Sequence, residues 1–196
     1  AYSGAEGGLF FNSHEVEKEN RTALDLTPGG GVRFGEKFTR GFEVAFREEY
    51  SSYGYVFRII VNDTLNVDMI FERIDGQEQI TMVMGKNQVF EDVTDLSPRE
   101  WMPVSVVLDQ PGGAVRVSLD GRLYDIPCDL PRLRNVRILM GANNHRSFFT
   151  TDVATMSLRN VSIADSRGVT VRSWPMFRHG EGRVYDETGR HRADVR

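Results

Sequence analysis

Apolar and polar positions alternate with period two along most of this chain. In "FEVAFRE", Phe42, Val44 and Phe46 share one parity, while Glu43, Ala45 and Arg47 share the other. "YGYVFRIIV" sets Tyr53, Tyr55, Phe57, Ile59 and Val61 on one side. "LNVDMIFE" sets Leu65, Val67, Met69 and Phe71 against Asn66, Asp68, Ile70 and Glu72. "PVSVVLD" adds Val104, Val106 and Leu108, and "AVRVSLD" adds Val115, Val117 and Leu119. Successive side chains of a strand leave opposite faces, so such runs predict strands with one face on a core. Turn residues separate them: Asn62-Asp63, Asp75-Gly76, Gly85-Lys86-Asn87, Pro111-Gly112-Gly113 and Asp120-Gly121. Asp120-Gly121 is the strongest of these, because an Asp-Gly pair supplies the positive φ angles of a two-residue hairpin. No stretch keeps a helical apolar period for three turns. The pattern predicts about ten to twelve short strands and hence an all-β, antiparallel two-sheet β-sandwich or a barrel.

In "VATMSLRNVSI" the alternation changes phase. Ala154, Met156 and Leu158 keep one parity, and Val161 and Ile163 keep the other. One extra residue near Arg159-Asn160, a β-bulge, restores the inward direction; the alternative is that the strand ends there. From Trp174 onward "WPMFRHGEGRVYDETGRHRADVR" is rich in Gly, Arg and His and loses the alternation. Residues 1–175 are therefore expected to form the domain, and 176–196 a C-terminal tail or a linker toward a neighbouring domain of the same polypeptide.

Composition narrows the function classes. A formal charge of −4 offers no basic face for nucleic acid and no footprint for an anionic membrane. No apolar run approaches the length of a transmembrane segment. The start, "AYSGAEGG", lacks an initiator Met and reads as a mature or trimmed end, which leads to the expectation of a bacterial exported protein: periplasmic, cell-surface or secreted. The single Cys128 has no second thiol for a disulfide or a zinc site and is expected to be a small buried hydrophobe. Three Asn-x-Ser/Thr strings, at Asn20, Asn62 and Asn160, matter only in a eukaryotic secretory pathway.

Three ordered pieces carry a resemblance. They are "FTRGFEVAFREEY", "WMPVSVVLDQPGGAVRVSLDG" and "ILMGANNHRSFFTTDVATMSLRNVSI". Together the chain resembles the laminin-G-like branch of the concanavalin A-like lectin and glucanase jelly rolls, over roughly residues 38–163. The resemblance implies two antiparallel sheets with the termini close together. It also implies a family of glycan-binding modules, glycosidases and adhesive domains, among which fold alone cannot choose. The family often holds Ca²⁺ at a sheet rim through oxygen ligands. Asn143 and Asp152, with Asn144, are the candidate ligands here; the alternative is a left-handed Asn-Asn turn with Asp152 anchoring the loop.

No enzyme signature stands out. Glycosidases need two carboxyl groups within several ångströms. The strand motif Glu-x-Asp-x-x-Glu is missing, and Asp68 and Glu72 are spaced about 13 Å along one strand. A hydrolase remains the alternative and demands an acidic pair, with Glu43 or Glu72 as members. No nucleophile elbow appears, and His14, His145, His179 and His191 lack a partner context. Sugar recognition calls for aromatic faces and planar polar groups. "GANNHRSFFTTDV" supplies both: Asn143, Asn144, His145 and Arg146 are candidate ligand-binding residues, and Phe148 and Phe149 cannot both point inward. Tyr50 and Tyr53, around a Ser-Ser turn, are the other candidates, with core packing open for Tyr53. Trp101, before a strand, is expected in the core. The leading expectation is a non-catalytic module of a larger exported protein, recognising carbohydrate or supporting a neighbour; a protein-adhesion or sensor module is a further alternative.

Overall fold

A computed structural model describes residues 8–47, 53–74, 77–86, 88–94, 100–174, 179–180, 183–185 and 192–195. The strands are β1 (Leu9–Phe10), β2 (Ala23–Asp25), β3 (Lys37–Phe46), β4 (Tyr53–Val61), β5 (Leu65–Ile74), β6 (Gln77–Met84), β7 (Gln88–Thr94) and β8 (Met102–Asp109). They continue as β9 (Ala114–Leu119), β10 (Arg122–Pro127), β11 (Val136–Gly141), β12 (Met156–Ala164), β13 (Thr170–Trp174), β14 (His179–Gly180), β15 (Arg183–Tyr185) and β16 (Arg192–Val195). One three-residue 3-10 turn, Lys18–Asn20, interrupts them. Among the described residues no helix is long and apolar enough to cross a membrane.

Two antiparallel sheets result. The first runs β1-β12-β3-β8-β9-β10, with β13 sharing the β12 edge used by β1. The second runs β14-β15-β16-β2-β11-β4-β5-β6-β7. Phe38, Phe42, Val44 and Phe46 of β3 enter the core from the first sheet. Phe57, Ile59, Val67, Met69 and Phe71 enter from the second. Aromatic pairs bridge the layers: Phe46 stacks on Phe71 with centroids 4.2 Å apart, and Phe42 meets Phe57 edge-on at 6.1 Å. Each such side chain contributes roughly 1.5–3 kcal/mol through burial, which is what holds the sandwich shut. Cys128 and Trp174 also belong to this core, and burial pushes the Cys128 thiol pKa up.

Two bulges set which residues face inward. On β12 three steps, Arg159 to Ser162, oppose two on β3, and Asn160 takes φ 52°. Met156, Leu158, Val161 and Ile163 are all fully buried, so the extra residue restores the inward direction after the change of parity. On β4 the register shifts between Tyr55 and Phe57. This corrects the single-face expectation for "YGYVFRIIV". Tyr53 and Tyr55 lie on the outer face with Arg58, while Phe57, Ile59 and Val61 point into the core. The extra residue, Val56, is buried as well. The Asp120-Gly121 hairpin has the expected left-handed backbone, with φ 50° and 82°.

Residues 176–196, set apart above as a tail or linker, contribute their described portions to the second sheet. Asp194 and Val195 of β16 pair with Asp25 and Leu24 of β2. Trp101 also departs from expectation. It is half-buried outside the core, under the Arg159 guanidinium at 4.2 Å, with Gly8 against its ring.

Candidate functional site

β11 ends at Gly141, whose φ of 71° and tight approach to Thr22 O and the Phe11 ring exclude a side chain. There the chain leaves the sheet and crosses the outer face of the second sheet. The His145 Nε2 reaches Asp63 Oδ1 in the β4–β5 turn at 3.2 Å, and its Nδ1 accepts the Ser147 N–H at 3.1 Å. The backbone then returns to β4: the Tyr55 N–H donates to Asp152 O at 3.0 Å, and the Ala154 N–H to Tyr55 O at 3.2 Å. Gly54 permits this return, since a Cβ there would lie 2.2 Å from the Val153 carbonyl carbon. Beneath the crossing, the outward-facing Ile60, Ile70 and Leu139 are buried.

Arg58 tethers the crossing to the sheet. Its Nε and Nη2 bind Asp68 at 2.8 and 3.0 Å, Nη2 also meets the Tyr55 hydroxyl at 3.0 Å, and Nη1 donates to Phe148 O at 2.8 Å. The Asn66 amide completes Asp68 at 2.7 Å. Burial raises the Asp68 pKa against the opposing pull of Arg58, the signature of a charge held inside only by its partners.

Two clefts flank the loop and share Ala23, Ala142, Asn143 and Asn144. The larger, about 480 Å³, is walled by Asp25, Arg137, His145, Arg146 and Asp194. The smaller, about 200 Å³, is walled by Lys18, Glu19, Arg21, Phe149, Thr150 and Thr151. Asp25 accepts from Arg137 Nη2 at 2.9 Å and from the Thr27 N–H and hydroxyl at 2.9 and 3.2 Å. Asp194 faces Asp25 across the strand pair. Asn143 is buried; its Oδ1 accepts the His145 N–H at 2.9 Å, while its Nδ2 has no partner. Asn144 is exposed, and Phe149 is 63% exposed beside half-buried Phe148.

Asn143, Asn144, His145 and Arg146 thus gather at one cleft. Tyr53 does not line it; it lies beside Tyr55 and across from Glu72, where burial first and Tyr55 second raise its hydroxyl pKa. Tyr50 lies outside the described residues. Of the candidate calcium ligands, Asn143 Oδ1 accepts the His145 N–H at 2.9 Å, and Asp152 Oδ1 meets His14 Nε2 at 3.2 Å. Among the described residues no group of three or more His, Cys, Asp or Glu side chains is placed to hold a metal ion. Glu43 and Glu72 belong to different sheets and opposite outer faces, so they form no acidic pair. Asn160 and Arg159 hold Glu43, drawing its carboxyl below the usual range against a larger but opposing effect of burial. Asp25, Arg137, Asp194, Lys18 and Arg21 were not singled out from sequence. They are polar positions of ordinary strands and turns, and only the β2–β11 and β2–β16 pairings make the first three neighbours.

A third depression, about 450 Å³, lies on the outer face of the first sheet against Ser105, Val107, Ser118 and the 82% exposed Leu123.

No protein-family model and no curated protein matches the chain. Solved structures do. A heptameric pentraxin of Limulus polyphemus aligns with TM-score 0.61 and 12% identity over 81% of this chain and 75% of that one. A protein of Bacteroides ovatus, provisionally named for carbohydrate binding, aligns with TM-score 0.64 and 11% identity over 96% of this chain and 57% of that one. Mouse laminin α1 domains LG4-5 align with TM-score 0.53 and 13% identity over 87% and 45%. The fold is the laminin-G-like, concanavalin A-like jelly roll.

Proposed function

We propose that the chain is a non-catalytic recognition module of a larger exported protein and holds carbohydrate in the cleft pair on its second sheet. One observation carries this reading: both clefts meet at Asn143–Asn144, where a buried amide N–H lacks an acceptor beside an exposed Phe149. Sugar hydroxyls supply acceptors for amides, and a pyranose face packs on an aromatic ring. The Bacteroides ovatus protein named for carbohydrate binding has the same fold, which supports the class of ligand without assigning it. A glycan array followed by Phe149→Ala and Asn144→Ala variants tests the reading. Retention of a glycan is expected, with about tenfold weaker binding for Phe149→Ala, the loss of one stacking contact. An array without retained glycans, or binding indifferent to both variants, overturns it.

Hydrolysis is the second reading, and one observation favours it. Asp25 and Asp194 are register partners across β2 and β16 and both line the larger cleft, and a retaining glycosidase needs two carboxyl groups about 5 Å apart. Both Asp25 oxygens, however, already accept from Arg137 and Thr27, which leaves Asp25 poorly placed to donate a proton. Release of reducing sugar that disappears in both Asp25→Asn and Asp194→Asn would establish hydrolysis instead of binding alone.

A further inference from the structure

The charges around the cleft pair run against those of the molecule. The whole chain carries a formal charge of −4. The two clefts are lined by four cations (Lys18, Arg21, Arg137, Arg146) and three carboxylates (Glu19, Asp25, Asp194). Setting aside the Arg137–Asp25 pair leaves three cations against Glu19 and Asp194. Arg137 is neutralised by Asp25 at 2.9 Å. Arg21 donates to the carbonyls of Val16 and Thr151, at 3.4 and 2.9 Å, which orient the guanidinium without cancelling its charge. Lys18 and Arg146 are exposed, and their side chains make no ion pair or hydrogen bond among the described residues. Three cations are therefore left without a carboxylate partner, two in the smaller cleft and one in the larger, on either side of the shared Asn143–Asn144 wall.

We propose that the bound glycan is anionic and long enough to occupy both clefts, its acid groups facing Lys18 and Arg21 at one end and Arg146 at the other. This rests on the carbohydrate reading above and adds charge and chain length to it. A neutral sugar gives three unpaired cations nothing to neutralise. A repeating carboxylate or sulfate does so at spaced points along one chain, with the Asn143 amide and the Phe149 ring between them. Glu19, in the smaller cleft, opposes an anion and sets a limit on the gain. Asp194 has other contacts and is not counted as free.

The test is binding by the full chain to four probes: dextran sulfate against dextran, and oligogalacturonides against their methyl esters. Each pair keeps one sugar backbone and removes or masks its acid groups, and the two anionic arms separate sulfate from carboxylate. At least one anionic probe is expected to bind about tenfold more tightly than its neutral partner, a few partly exposed ion pairs' worth. That preference is expected to shrink as salt rises from ~0.01 to ~0.15 M, where the Debye length contracts from about 30 to about 8 Å. It is also expected to rise from monosaccharide to trisaccharide. Lys18→Gln combined with Arg146→Gln is expected to cut the preference severalfold, Arg21 remaining, while Phe149→Ala weakens all binding. Both replaced cations are exposed, so the fold is retained. Equal binding of charged and neutral probes, still sensitive to Phe149→Ala, overturns this inference and leaves the carbohydrate reading standing. A preference unchanged in the Lys18/Arg146 variant overturns it too. No binding of any probe overturns this inference, and the carbohydrate reading then stands or falls on the glycan array.

Discussion

The Arg40 guanidinium lies in the core between the Phe42 and Phe57 rings, at 5.1 and 4.7 Å, with no hydrogen bond to any of its nitrogens. Burial alone draws its pKa down from the usual arginine value to about 9. The folded value lies below the unfolded one, so the penalty is fully present at any pH below about 9 and eases only as pH rises from there toward the unfolded value. Facing aromatic rings return part of this through cation–π attraction. Arg40→Met keeps the volume and removes the charge, and is expected to raise stability by about 1–4 kcal/mol. The measurement is the urea midpoint at unchanged slope. A lowered midpoint would show that the two rings hold the cation at a net gain. Nothing in the alternation of "KFTRGFEVAF" marks Arg40 as exceptional except its inward parity, and that mark was legible. Cys128 is the simpler case. Its burial and raised pKa lead to the expectation that a disulfide reagent titrates it only after unfolding; rapid labelling of the native protein would contradict this.

At the scale of elements, the two bulges show what a sequence reveals about register. On β12 the flanking residues are polar, so the jump from Leu158 to Val161 stands out. On β4 the extra residue is Val56 in a run apolar at nearly every position, and no parity change is visible. Arg58 then changes role from a polar position on a strand to the tether of the crossing loop. Replacing the whole pair, Arg58→Met with Asp68→Leu, fills the site with apolar side chains and leaves no buried charge, so stability is expected to hold within about 1–2 kcal/mol. The loop loses its bond from Arg58 to Phe148 O, and amides of residues 143–151 are expected to exchange at least about tenfold faster, as a bond worth ~1.5 kcal/mol is lost. Unchanged exchange would mean that the His145–Asp63 contact and the Asn143–Thr150 bridge suffice to hold it. Gly54→Ala is a harsher probe. The added methyl strikes the Val153–Ala154 backbone, which cannot move aside without losing its bonds to Tyr55, and a loss of about 1–3 kcal/mol is expected in chemical denaturation.

Across the whole molecule, strand pairing decides what the clefts contain. The loop "ANNHRSFF" was legible as a candidate site because its polar and aromatic residues are contiguous. Asp25, Arg137 and Asp194 come from segments more than fifty residues apart and meet only because β2 lies between β11 and β16. Period-two alternation specifies which face a strand buries but carries nothing about which strand lies beside it. Ending the chain after Trp174 removes β16 and with it the Asp194 wall of the larger cleft. The seven-stranded sheet is complete without the removed residues, so the shortened protein is expected to fold and to bind glycan more weakly than the full chain. Circular dichroism and the glycan array measure the two together, and full affinity in the shortened protein would place the ligand elsewhere.

The account turns on where ligand sits. Titration of the isotopically labelled protein with short oligogalacturonides and dextran sulfate, followed by amide chemical shifts, locates it directly. Changes confined to residues 18–25, 137–151 and 192–195 are the predicted result; changes centred on Ser105, Ser118 and Leu123, on the opposite sheet, would contradict it.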